Sequence, residues 1–171
     1  MKNGHLYIDL SRTAIFAGIP EEKLAEISTI VKVREFPPND VVMKEGESGG
    51  SLFILIEGEV EVSKSLVLRS AGTAVDPRDK SLIRLSSKSL PFFGEMSLFE
   101  KESTRSATVR TVTPCRFAVI ELAELVKLAE SDHEIGYRTF LNISWVLSER
   151  LGKTNNDLLK VTTALGLALE R

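Results

Sequence analysis

Phe93-Gly94-Glu95-Met96-Ser97-Leu98-Phe99, followed one short loop later by Arg105-Ser106-Ala107-Thr108-Val109, decides the reading of this chain. Gly94 lets backbone approach a ligand closely, and the amides after Glu95 open a one-turn helix whose partial positive end favours an anion. Arg105 supplies a planar, permanently charged fork that fits a phosphate. Ionised Glu95 only accepts hydrogen bonds; it can take one from a sugar hydroxyl and repels a second negative charge. Together these parts describe a holder for a sugar carrying one delocalised phosphate charge. An isolated Glu and Arg pair in a loop would be no more than a surface ion pair. Here the glycine turn and the small residues Ser106 and Ala107 agree with a cradle.

Working upstream, Gly46-Glu47-Ser48-Gly49-Gly50-Ser51 leads into Leu52 to Ile56, and Gly58 leads into Glu59-Val60-Glu61-Val62. The last four alternate, valines on one face and glutamates on the other, as in a strand with one face in a core. Val41-Val42-Met43, Leu66-Val67-Leu68, Leu82 to Leu85, Ala107 to Val112 and Arg116 to Ile120 add further short strands, and the turn signals between them predict a sandwich or jelly roll. At the N-terminus, Leu24, Ile27, Ile30 and Val31 recur at helical spacing after Pro20, and Pro37-Pro38-Asn39-Asp40 ends that helical region.

Downstream, Leu122, Leu125, Val126 and Leu128 fit one helix, and Asp132 can cap a longer one running toward Arg171. Along it Leu147, Leu151, Thr154, Leu158, Val161, Leu165 and Ala168 alternate in steps of four and three, a heptad seam that reads as a helix-to-helix dimer in preference to a helix merely lying on the barrel. Gly152 and Gly166 weaken the helix in isolation, so contacts with other elements or a second chain must hold it.

The cassette from Phe93 to Val109 resembles that of the cyclic nucleotide-binding domains of CRP/FNR regulators, kinase regulatory subunits and gated channels, with its FGE run followed by R-[ST]-A-x-V. Gly46 to Val62 is similar to the same family's glycine-punctuated barrel strands. The resemblance implies a mainly β fold with flanking helices: a jelly-roll barrel and a long C-terminal helix in a single domain over 1–171. N-terminal helices would take 1–36, the barrel 37–120 and C-terminal helices 121–171. It further implies that Glu95 binds the ribose 2'-hydroxyl and Arg105 the cyclic phosphate. The backbone from Phe93 and Gly94 and the amides of Met96, Ser97, Ser106 and Ala107 would complete the cradle. Thr154 and Asn155 match the polar pair that meets adenine in CRP-like dimers; read without the resemblance, Thr154 sets seam register and Asn155 is solvated. The ligand implied is cAMP or cGMP, with cAMP favoured by that pair. Two departures stand out. Leu90-Pro91 replaces the family's turn before the cassette, and Ala71 to Lys80 reads as an inserted loop.

Composition is consistent with this reading. Of 171 residues, 43% are hydrophobic and 27% charged, enough for one well-buried core. The balance of 22 basic and 24 acidic residues gives no electrostatic footprint for nucleic acid. With the sequence ending at Arg171, the expectation is a chain without the helix-turn-helix domain of a CRP/FNR transcription factor unless it is a fragment. The single cysteine, Cys115, reads as a buried small hydrophobe, and His5 and His133 as surface residues rather than metal ligands. Met43 and Met96 read as core filler, and Trp145 as a contact with the barrel or a partner. Neither a signal peptide nor a membrane span of roughly 20 apolar residues is present, so the expectation is a cytoplasmic protein. No nucleophile with a base and no acid pair emerges, which predicts a sensor, not an enzyme. It would work as a homodimer, pass its signal to an unknown downstream protein, and need no cofactor beyond its nucleotide. The rival readings are a regulator fragment and a scaffold with an idle pocket.

Overall fold

The structure, a computed structural model, describes residues 9–66, 78–99 and 104–169. Two four-stranded antiparallel sheets face each other. One has the order β1(Val31–Phe36)-β8(Cys115–Glu121)-β3(Ser51–Glu57)-β6(Phe92–Phe93) and the other β2(Val41–Met43)-β7(Thr108–Thr111)-β4(Glu59–Leu66)-β5(Arg78–Ser86). This is the jelly-roll barrel expected from the strand pattern.

The runs Leu52-Phe53-Ile54-Leu55 and Phe117-Ala118-Val119-Ile120 are apolar at every position because the first sheet is covered on both faces. Phe53, Leu55, Phe117 and Val119 point into the barrel with Met43, Val60, Phe93, Val109 and Cys115. Leu52, Ile54, Ala118 and Ile120 point the other way, onto helices carrying Ile15, Phe16, Ile27, Leu125, Ile135 and Ile143. Inside the barrel Phe53 stacks on Phe93 at 5.7 Å between ring centroids, and Phe117 meets both edge-on. Val60 is fully buried, while Glu61 on the opposite face of β4 pairs with Arg84. Cys115 is buried as expected, and burial pushes its thiol pKa up.

The N-terminal helical region is shorter than the periodicity suggested. Two single 3-10 turns, Leu10–Arg12 and Ala14–Phe16, precede α1(Glu21–Thr29), and Val31 already belongs to β1. Residues 31–36 are therefore strand, paired along their whole length with β8, and the proline turn joins two strands rather than ending a helix. Arg78 to Lys80, read as inserted loop, begin β5 and pair with Leu66, Ser65 and Lys64; 71–77 and the Val67-Leu68 end of an expected strand lie outside the described residues. Leu90, at the departure before the cassette, adopts a left-handed φ of 45°, and the next carbonyl, Pro91 O, accepts the Leu55 amide at 2.9 Å to set β6 beside β3.

At the C-terminal end, α2(Leu122–Ser131) is followed by α3(His133–Leu169), and Asp132 caps α3 through Oδ1, which accepts the amides of Glu134 and Ile135. Gly136 lets α3 close on α2, since a Cβ there would lie 2.7 Å from Ala129 O. Beyond Arg150 every described residue of α3 is exposed. Trp145 is 72% exposed and does not touch the barrel core, which corrects its expected role there. The helical repeat explains this, because Ile143, Val146 and Leu147 take the core-facing side and leave Trp145 outward. Among the described residues no helix is long and apolar enough to cross a membrane.

Candidate functional site

The site lies where the loop before β3, the turn after β6 and the loop before β7 converge. Gly94, at φ 90°, turns the chain out of β6 into the single 3-10 turn Glu95–Leu98. Arg105 is fixed by its backbone first: its amide donates to Glu47 O at 2.8 Å, and its carbonyl accepts the Gly46 amide at 2.9 Å. A bridge between Ser48 and Thr104 extends this pairing.

Backbone tethering delivers the Arg105 side chain inward, where the residue is only 7% exposed. Nη1 donates to Ser51 O at 2.9 Å and, more weakly, to Gly94 O at 3.4 Å. Cζ stands 5.8 Å from the centroid of the Phe53 ring, which Phe93 backs by stacking. Among the described residues nothing accepts a hydrogen bond from Nε or Nη2, so one edge of the fork is uncommitted. Burial lowers the Arg105 pKa, opposed by the carboxylates of Glu121 and Glu95.

Glu95 is 2% exposed, and burial raises its pKa above the ordinary value. The main opposing charge comes from a residue that sequence reasoning did not single out. Arg150 on α3 donates from Nη1 to Glu95 Oε1 at 2.7 Å and from Nη2 to Phe92 O at 2.8 Å. Its Cζ also lies 5.2 Å from the Phe92 ring centroid. Arg150 therefore ties the long helix to the cassette where the helix leaves the barrel. A signal for it existed, because it continues the core-facing row Ile143, Val146, Leu147 with a charge where another apolar residue belongs.

Of the expected site residues, Phe93, Gly94, Glu95, Met96 and Ser97 lie at the end of β6 and the turn after it, and Arg105, Ser106 and Ala107 on the loop before β7. Phe93 lies in the barrel core, Met96 and Ala107 are half-buried, and Ser106 is exposed. Ser97 is buried and its hydroxyl has no partner among the described residues. Thr154 and Asn155 are not brought in: both are exposed one turn beyond Arg150, and the Thr154 hydroxyl donates back to Arg150 O at 2.9 Å. Met43 fills the barrel core and His133 is exposed, as expected, while His5 lies outside the described residues.

The fold and site thus define a jelly-roll barrel in which a buried arginine from the loop before β7 lies near a buried carboxylate on the turn after β6. Residues 33–132 match the family described as "Cyclic nucleotide-binding domain", and the chain belongs to that family. Over 149 residues, 87% of the chain, it is 28% identical to the CRP-like cAMP-activated global transcriptional regulator of Mycobacterium tuberculosis, and spans 60% of that protein's length. Among solved structures, the fold is similar to the catabolite activator protein of Thermus thermophilus, with a TM-score of 0.70 and 20% identity over 88% of this chain and 63% of that one. It is also similar to a cyclic nucleotide-binding domain from Methylobacillus flagellatus, with a TM-score of 0.72 and 20% identity over 84% and 75%.

Proposed function

We propose that this domain binds a cyclic mononucleotide, cAMP in preference to cGMP, and signals through α3 to a partner protein. The observation that carries the reading is the state of Arg105, held in place through Nη1 while Nε and Nη2 have no acceptor among the described residues. That half-committed fork, beside a buried carboxylate, suits one anionic group with a sugar hydroxyl next to it. Arg105 takes the cyclic phosphate, and the amides of Met96, Ser97, Ser106 and Ala107 share its charge. Glu95 accepts from the ribose 2'-hydroxyl. With Oε1 already engaged by Arg150, a ligand on Glu95 bears directly on the anchor of α3.

The preference for cAMP rests on Thr154 and Asn155 and on the likeness to the cAMP-activated mycobacterial regulator. Neither residue reaches the cassette of its own chain, so the base contact comes from a second copy across a dimer. The apolar seam supports that dimer, with Leu151, Leu158, Val161 and Leu165 each more than half exposed on a single chain. The site binds without reacting: Glu95 is held by Arg150, and Arg105 stays protonated and serves as a cation. The protein works in the cytoplasm.

The test is Arg105→Ala. Removing the fork deprives the phosphate of a charge-assisted contact worth about 1.5–3 kcal/mol, at least tenfold in affinity. A folded variant that binds cAMP as tightly as the parent refutes this assignment.

A further inference from the structure

Two glycines border the Arg105 guanidinium, and they serve different purposes. Gly94 is needed for its backbone, since it sits at φ 90° and a Cβ there would also meet Ser51 O at 2.6 Å. Gly49 has no such backbone requirement. A Cβ on Gly49 would instead lie 1.8 Å from Arg105 Nε, 2.2 Å from Cζ and 2.6 Å from Nη2, inside the guanidinium itself. A Cβ on the next residue, Gly50, would meet nothing within 4 Å.

We propose that Gly49 is a positioning residue of the anion site: its missing side chain is the seat that holds the Arg105 fork in place before a ligand arrives. This rests on the reading of Arg105 as the phosphate contact. To step aside for a methyl group the guanidinium must give up its present contacts. It is packed above Phe53, bordered by Gly94 and tied through Nη1 to two carbonyls. Any side chain at 49 breaks those bonds and leaves an arginine that the ligand must order for itself, at a loss of affinity.

The experiment compares Gly49→Ala with Gly50→Ala, by calorimetric titration with cAMP and cGMP and by the NMR signal of the Arg105 Nε–H group without nucleotide. Gly50→Ala is expected to match the parent in both. Gly49→Ala is expected to bind about tenfold more weakly or worse and to shift the Nε–H signal. A Gly49→Ala protein that binds like Gly50→Ala, or whose Nε–H signal stays put, overturns the proposal. Should Gly49→Ala fold poorly, the double variant Gly49→Ala/Arg105→Ala decides. Stability equal to Arg105→Ala alone locates the clash in the guanidinium, and stability as low as in the single variant refutes it. If the parent binds no cyclic nucleotide, the functional reading fails by itself, and the Nε–H signal and the double variant still decide the role of Gly49.

Discussion

Replacing Arg150 with Met removes a charge and two hydrogen bonds while keeping an unbranched stem over Phe92. The side chain lost is 44% exposed, but the Glu95 carboxylate it faces is 3% exposed, so the variant strands a buried charge. A hydrogen bond to a charged group contributes about 1.5–3 kcal/mol, and water reaching the half-exposed arginine position offsets part of the loss. A net cost of about 2 kcal/mol follows, or a fall in melting temperature of about 4–8 °C for a chain of this size. The deficit must also depend on pH. Burial raises the Glu95 pKa in the folded protein above the ordinary 4.5, with Arg150 restraining the rise. Folded Glu95 therefore holds its proton to higher pH than the unfolded chain does. Its favourable share of stability is complete below the unfolded value and is lost as pH rises through the folded one. Without Arg150 the folded value climbs further, so the deficit is full near neutral pH, where an ionised carboxylate has lost its neighbouring cation. It shrinks on acidification as Glu95 takes up a proton. Urea unfolding of parent and Arg150→Met across this range reads the effect, and Glu95→Gln/Arg150→Met should show less than the sum of the single losses. A deficit that stays constant with pH, or strict additivity in the double variant, would refute the reasoning.

Three further outcomes are expected. Glu95→Gln should weaken the ribonucleotide more than its 2'-deoxy analogue, which never made the hydroxyl contact; equal losses would make Glu95 structural. Leu158→Asp should turn a dimer into a monomer by placing a charge in the α3 seam, and light scattering that finds the parent monomeric at micromolar concentration contradicts the dimer. Thr154→Ala should lower affinity for cAMP, and the nucleotide should slow amide exchange from Leu151 to Leu159; unchanged exchange together with equal affinity in monomer and dimer would leave α3 indifferent to the ligand.

The sandwich was legible because its central strands are written as unbroken apolar runs and β4 as a clean alternation, patterns that local sequence carries by itself. β1 was not. Val31-Lys32-Val33-Arg34-Glu35-Phe36 is an edge strand, largely exposed, and its first residue extends the helical spacing of Leu24, Ile27 and Ile30. The cassette was readable because its glycine, acid and arginine lie within a dozen residues of one another. Arg150 was passed over because its carboxylate partner is 55 residues away, so its place in the core-facing row named no role until tertiary packing put Glu95 beside it. Gly49 was missed as a site residue for a similar reason. Beside Gly50 it reads as ordinary turn punctuation, and only the path of a side chain 56 residues away, that of Arg105, separates the two.

The most direct measurement is calorimetric titration of nucleotide-stripped protein with cAMP and with cGMP, alongside Arg105→Ala. The account expects one saturable site per chain, tighter for cAMP than for cGMP, and lost in the variant. No binding of either nucleotide by the folded parent, or binding that Arg105→Ala leaves intact, would contradict it.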